Sequence, residues 1–168
     1  MCQPFGTPAR CTYVMSFDDE FGELARLSYR VAFRILGNRS EAEDVTQEAL
    51  TKAFVRWRRV EDHARPWVCR VSTNLALGVV RKRNRPRQPL ADVADATNEV
   101  VVRMELQQML LSLPKRQREV VALRYLADLS EAVVAAELGC SVGTVKTHAH
   151  RGLAALRQGL GPQPLEVN

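Results

Sequence analysis

The stretch SEAVVAAELGCSVGTVKTHAHRGLAAL, residues 130–156, decides how the chain is read. Ser130 stands where a helix needs an N-cap, and Val134, Ala135 and Leu138 follow at helical spacing. Gly139 then supplies a left-handed turn, a conformation glycine takes at no steric cost. Ser141 caps a second expected helix, whose Val142, Val145, Ala149, Leu153 and Leu156 fall on an inner face. Cap, apolar seam, glycine and second cap in this order predict a helix-turn-helix module over residues 113–158. The seam leaves Gly143, Thr144, Lys146, Thr147 and His150 outside, near the N-terminus of the second helix. A helix presented in this way fits the major groove, and its free amides favour phosphate. A purely structural helix pair is the alternative for this segment.

Working outward, Leu113-Pro114 marks a boundary, while Val120, Val121, Leu123 and Leu126 continue the core. A further helix runs through Met104, Leu106, Met109 and Leu110, and Arg116, Arg118, Arg124, Arg151 and Arg157 add positive charge around the module. Residues 86–98, with Pro86 and Pro89 among small and acidic residues, read as a linker. Three helical patterns precede it. From Phe17 to Leu36 the residues Phe21, Leu24, Leu27, Ala32, Phe33, Ile35 and Leu36 recur at helical spacing, and Gly37-Asn38 ends the run. Ser40 with Glu43 has the form of a capping box. The helix it would open carries Ala42, Val45, Ala49, Ala53, Phe54 and Trp57 inward, with Glu41, Asp44, Gln47, Glu48 and Lys52 outward. A polar stretch from Arg58 to Arg65 breaks the pattern. Pro66 suits the first turn of a third helix, in which Trp67, Val68, Val71, Leu75 and Val79 point to the core. That helix ends in Arg81-Lys82-Arg83-Asn84-Arg85 before Pro86.

The expected fold is therefore all-α: two small helical domains, 17–85 and 99–158, joined by a flexible linker at 86–98. Residues 1–16 and 159–168 read as tails, with Met15 a second candidate start beside Met1.

Composition agrees. A chain of 168 residues has no room for a large catalytic domain, and 46% hydrophobic with only 6% aromatic residues favours helices over sheets. Lys and Arg outnumber Asp and Glu by 24 to 19, a net +5 that points to nucleic acid only through its placement. The third helix presents Arg70, Asn74 and the basic cluster, suited to phosphate, whereas the helix before it presents acidic residues suited to a basic or polar protein. Trp57, Trp67 and His63 are candidates for stacking an unpaired base, although tryptophans in small helical domains more often belong to the core. Cys69 and Cys140 lie in apolar patterns and read as buried free thiols. His63, His148 and His150 make no metal set, and no phosphate loop, dinucleotide fingerprint or nucleophile elbow occurs. Neither enzymatic activity nor a cofactor or metal is expected. No run approaches the roughly 18 apolar residues of a membrane span, so a cytoplasmic protein without membrane insertion is expected.

Four strings together resemble the bacterial sigma-70 family, in particular its extracytoplasmic-function group. They are Ser40-Glu41-Ala42-Glu43-Asp44-Val45-Thr46-Gln47-Glu48-Ala49; Arg65-Pro66-Trp67-Val68 followed by Asn74; Leu113-Pro114-Lys115-Arg116-Gln117-Arg118-Glu119-Val120; and Gly143-Thr144-Val145-Lys146. Residues 21–85 are similar to sigma region 2 and residues 99–158 to region 4. The resemblance implies a factor that binds core RNA polymerase and selects promoters. Asp44, Gln47 and Glu48 would dock the clamp helices of the beta-prime subunit, and the beta flap would be a further contact. His63, Trp67, Asn74, Arg81, Lys82, Arg83 and Arg85 would engage the −10 element. Arg124, Gly143, Thr144, Lys146, Thr147, His148, His150 and Arg151 would engage the −35 duplex. An anti-sigma factor is an implied candidate partner. Val133, Gly78 and His148 stand where the family commonly has Glu, Asp and Arg, so the preferred promoter does not follow from a relative. Residues 144–148, Thr-Val-Lys-Thr-His, also match a string found in response-regulator-like factors. An operator-binding factor, and an adaptor that binds polymerase without selecting promoters, are the alternatives.

Overall fold

A computed structural model of the chain describes residues 16–84 and 98–160. Its first helix, α1 (Phe17–Leu36), begins at a reciprocal cap: Ser16 Oγ accepts from the Asp18 amide at 3.4 Å and the Ser16 amide donates to Asp19 Oδ2 at 2.9 Å. Gly37, at φ 65°, ends it with a left-handed turn. The cap of α2 (Arg39–Val55) is Asn38, not Ser40: Asn38 Oδ1 accepts from the Glu41 amide at 3.0 Å. The chain has already turned at Gly37, and Asn caps as well as Ser, so the helix starts early and leaves Ser40 exposed inside its first turn. Glu43, expected to complete a box with Ser40, pairs with Arg39 at 2.8 Å instead.

Small residues line the buried face of α2, where Ala42, Val45, Ala49 and Ala53 let it lie close along α1. Phe54, expected inside, is 63% exposed, and Trp57 is half-buried. The expected break from Arg58 to Arg65 is largely helical: α3 (Trp57–Val60) and a 3-10 turn at Glu61–His63 lead into α4 (Ala64–Arg83). Burial of Val60 and Ala64 closes this segment against the core despite its charges. Pro66 lies in the first turn of α4, as expected.

The buried line of α4 runs through Val68, Cys69, Ser72, Thr73, Ala76, Leu77 and Val80, while Trp67, Val71, Leu75 and Val79 are only half-buried. The polar pair is tolerated because both hydroxyls are satisfied. Ser72 Oγ donates to the Val68 carbonyl at 2.8 Å and lies 2.7 Å from Ser28 Oγ, and Thr73 Oγ1 donates to the Cys69 carbonyl at 2.8 Å. Burial pushes the Cys69 thiol up to about 11, leaving it protonated at neutral pH. Cys140 is half-buried rather than buried.

The second module contains α5 (Asn98–Ser112), α6 (Lys115–Val121), a wide π turn at Ala122–Leu126, α7 (Glu131–Leu138) and α8 (Val142–Leu160). The expected turn is present: Ser130 Oγ accepts from the Val133 amide at 3.3 Å, Gly139 has φ 62°, and Ser141 Oγ accepts from the Thr144 amide at 3.1 Å. Val142, expected inward, is 39% exposed, because it lies in the first turn beyond the reach of α7. Helix α8 continues to Leu160, past the expected start of the tail at residue 159. No strand occurs among the described residues. The modules meet across one buried cluster in which Ile35, Leu36, Leu77 and Val80 join Leu110, Leu123 and Val134. The Gln107 side-chain amide donates to the Ile35 carbonyl at 2.7 Å, and the Arg34 guanidinium donates to the Leu126 carbonyl.

Two helical glycines have opposite expected effects. A Cβ at Gly152 would lie 2.6 Å from Val121 Cγ2, where α8 crosses α6, whereas a Cβ at Gly78 meets nothing within 4 Å. Alanine gains about 1 kcal/mol of helix propensity at either site. At Gly152 overpacking costs about 1–3 kcal/mol and outweighs that gain. Thermal melts should show Gly78→Ala raising the midpoint and Gly152→Ala lowering it.

Candidate functional site

Three surfaces carry the residues expected to be functional. On α2, Asp44, Gln47 and Glu48 are all exposed. Glu48 pairs with Lys52 one turn on, while Asp44 has no ion-pair partner among the described residues. Glu41, on the same helix, is drawn instead to Arg83 at the end of α4. Beside Gln47 lies an open apolar groove of about 380 Å³, lined by Phe17, Phe21, Leu50, Thr51 and Phe54. Its aromatic rings meet edge to face, with Phe17 5.8 Å from Phe21, 5.2 Å from Phe54 and 5.3 Å from Trp57 between centroids. Helical periodicity placed Phe21 and Phe54 in the core, and only the mismatch of large rings against an alanine-lined helix hinted otherwise.

The second surface runs along α4. At 100° per residue, Trp67, Arg70, Asn74 and Arg81 fall within an arc of about 60°. Trp67 is half-buried, and Asn74, Arg81 and Lys82 are exposed. His63 precedes the helix on the 3-10 turn with 46% of its side chain exposed. Arg83 is held by Glu41, its Nε 3.0 Å from Glu41 Oε1. Arg85 lies outside the described residues.

Arg70 stands among the DNA candidates of this face but points to the other module. Its Nε lies 2.7 Å from Glu137 Oε1, and His63 Nε2 lies 4.0 Å from Glu137 Oε2. The Glu137 side chain is only 1% exposed, and burial raises its carboxyl pKa despite the two cations. Neither carboxylate oxygen has a partner in hydrogen-bond geometry, so the contact is an ion pair without directional bonding. Sequence reasoning did not reach this pair, because the partners are far apart along the chain and belong to different modules.

The third surface is the outer face of α8. Gly143, Lys146, Thr147, His150 and Arg151 are exposed and share one side of the helix. Thr144 is half-buried, with Oγ1 2.9 Å from Ser141 Oγ. Thr147 Oγ1 donates to the Gly143 carbonyl at 3.0 Å, and Lys146 Nζ lies 3.7 Å from Glu131 Oε2. Two expected members sit elsewhere. His148 is half-buried and rotated from this face, and its buried Nδ1 has no hydrogen-bond partner among the described residues. Arg124 donates to the Leu129 carbonyl and lies over the Tyr125 ring, 5.8 Å from its centroid, so it fastens the turn before α7.

No group of His, Cys, Asp and Glu among the described residues is placed to hold a metal ion. No described helix is long and apolar enough to cross a membrane.

Comparison with known proteins gives two family matches, sigma-70 region 2 over residues 21–86 and sigma-70 region 4 over residues 103–156. The extracytoplasmic-function (ECF) RNA polymerase sigma factor SigW of Bacillus subtilis is 35% identical over 153 residues, covering 79% of this chain and 82% of that protein. The RNA polymerase sigma-E factor of Streptomyces coelicolor is 32% identical over 161 residues, covering 92% of this chain and 91% of its own. Two solved structures share the fold at lower identity. CnrH, in complex with the cytosolic domain of CnrY, matches with TM-score 0.59 and 21% identity, covering 86% of both chains. RpoE of Bartonella quintana, in complex with the anti-sigma factor NepR, matches with TM-score 0.56 and 22% identity, covering 86% of this chain and 96% of its own.

Proposed function

The chain belongs to the sigma-70 family, in its extracytoplasmic-function group, and on that premise we propose how its three surfaces divide the work of promoter selection. As a sigma factor it carries out no catalysis of its own; it binds core RNA polymerase and directs it to promoters through regions 2 and 4.

In the reading we favour, Asp44, Gln47 and Glu48 dock core polymerase. Their exposure on one acidic helix, in a chain that is otherwise basic, is the observation that carries it. Acidic groups repel DNA and suit a basic or polar protein surface. His63, Trp67, Asn74, Arg81, Lys82, Arg83 and Arg85 serve the −10 element, where a melted strand offers both backbone phosphates and unstacked bases. The face of α8 from Gly143 to Arg151 serves the −35 duplex, its amide end toward phosphate and its side chains toward base edges. Arg124 and His148 act through the shape of the module, given where their polar atoms lie. Joining two modest DNA contacts on one body raises their effective concentration for each other and fixes register. The RpoE structure of similar fold holds the anti-sigma factor NepR, and an anti-sigma partner for this chain belongs to the same reading.

The test is reconstitution. Purified chain added to core RNA polymerase should yield promoter-dependent open complexes, seen as permanganate-reactive thymines near −10. Binding to an operator without core would overturn the reading in favour of the response-regulator-like alternative. Stable core binding without open complexes at any promoter would leave an adaptor.

A further inference from the structure

We propose that the apolar groove between α1 and α2 is the seat of residues 1–15 of this chain, which turn back from Ser16 over Phe17 and Phe54 and compete with core polymerase for the edge at Gln47. The competition, though not the seat itself, rests on the assignment of α2 to polymerase docking.

Phe21 is 48% and Phe54 63% exposed, and with Phe17 and Leu50 they line an open volume of about 380 Å³. A contiguous apolar patch of this kind on a soluble chain marks a binding surface. Its flanks select the occupant. At 100° per residue, Asp18 and Glu20 lie on either side of the line from Phe17 to Phe21, and Asp44 stands one turn before Gln47 on α2. Asp44 has no ion-pair partner among the described residues. Acidic flanks turn nucleic acid away and suit a partner that is apolar and basic. Residues 1–15 have that composition: Phe5, Tyr13, Val14 and Met15 are apolar, and Arg10 is present with no Asp or Glu.

Reach and direction favour the same occupant. The segment joins the described chain at Ser16, beside Phe17, whose ring lies 5.2 Å from Phe54 and 5.3 Å from Trp57. Tyr13 and Val14 are therefore close in sequence to one end of the groove. Gln47 lies two helical turns from Phe54, about 10 Å. The chain from Arg10 to Ser16 spans up to about 20 Å when extended, enough to bring Arg10 to Asp44. Arg56, Arg58 and Arg59 are exposed beyond Phe54 and repel a basic segment from that side, which leaves the direction toward Gln47. Tethering supplies the rest. At an effective concentration of ~1 mM, a contact with an intrinsic dissociation constant of ~0.1 mM fills the seat about nine-tenths of the time.

Nile red, a neutral apolar dye, reads the groove in the full-length chain free of polymerase. Tyr13→Ser with Val14→Ser changes only residues that precede α1. This variant should bind the dye about tenfold tighter, the factor by which a seat filled nine-tenths of the time lowers apparent affinity. Adding Phe54→Ser, at an exposed position, should abolish the increase and so locate it in the groove. The chain begun at Met15 keeps the Ser16 cap and should match the variant with both serines. Core polymerase should also bind that variant about tenfold tighter than the wild type. Dye affinity unchanged in both forms would overturn the seat, and so would dye binding that falls as chain concentration rises, which would put a second copy in the groove. A dye increase without a polymerase increase would overturn the competition. Asp44→Lys with Glu48→Lys, added to Tyr13→Ser with Val14→Ser, separates the underlying assumption: if core affinity does not fall there, the docking role of α2 fails, while the dye still reads the seat.

Discussion

Reversing Asp44 and Glu48 together to lysine is expected to weaken binding to core RNA polymerase at least 100-fold, with the fold and the duplex affinity of the second module intact. The size follows from what is exchanged. Each wild-type carboxylate faces a basic or polar docking surface, and a like charge placed there costs several kcal/mol when contact excludes water. Even ~3 kcal/mol in total amounts to two factors of ten. Both side chains are exposed, so the substitutions bury no new charge. Glu48→Lys also loses its Lys52 partner, but an exposed pair one turn apart contributes only about 0.3–0.5 kcal/mol and cannot account for a loss of that size. Fluorescence anisotropy of labelled chain titrated with core polymerase measures the effect, with melting as the control. Equal affinity would remove these residues from the docking surface. A loss confined to high salt would contradict an electrostatic contact, since screening should make charge reversal matter less there.

The faces of this molecule were legible in the sequence where a periodic pattern coincided with a cap, and less so elsewhere. The helix-turn-helix was readable because Ser130, Gly139 and Ser141 each solve a local backbone problem, and such problems have few chemical solutions. The exposure of Asp44, Gln47 and Glu48 followed from spacing alone. The Asn38 cap was missed because Ser40 and Glu43 satisfy the same spacing rule two residues later, and only the left-handed Gly37 settles which residue turns the chain. Phe21 and Phe54 were misplaced for a different reason. Periodicity reports which residues share a face, but whether that face meets a neighbour depends on how closely two helices approach, and Ala42, Ala49 and Ala53 bring α2 so near α1 that the larger rings stay at the edge. The Arg70–Glu137 pair had no local signature at all, being a property of how two modules dock.

That division also sets the second large expected effect, on promoter discrimination. Lys146→Ala with Thr147→Ala should reduce preference for the cognate −35 duplex over random duplex by about 10- to 100-fold, because a lost base-edge contact costs about 1–3 kcal/mol of discrimination. The two substitutions act differently. Lys146 is exposed and only loosely engaged by Glu131 at 3.7 Å, so its ammonium is available to phosphate or a base edge. If it meets phosphate, Lys146→Ala weakens all duplexes alike and lowers the slope of log affinity against log salt by about 1. Thr147 already donates its hydroxyl hydrogen to the Gly143 carbonyl, which leaves its oxygen as an acceptor and its methyl free to meet a thymine methyl. Thr147→Ser, which keeps the hydroxyl, should retain discrimination where a donor group of a base is read and lose it where a thymine methyl is read. The measurement is a salt series on cognate and scrambled −35 duplexes, made with the polymerase holoenzyme. Discrimination unchanged in the double variant would move base recognition off this face of α8, leaving Lys146 and Thr147 as surface residues of a helix that touches only the backbone.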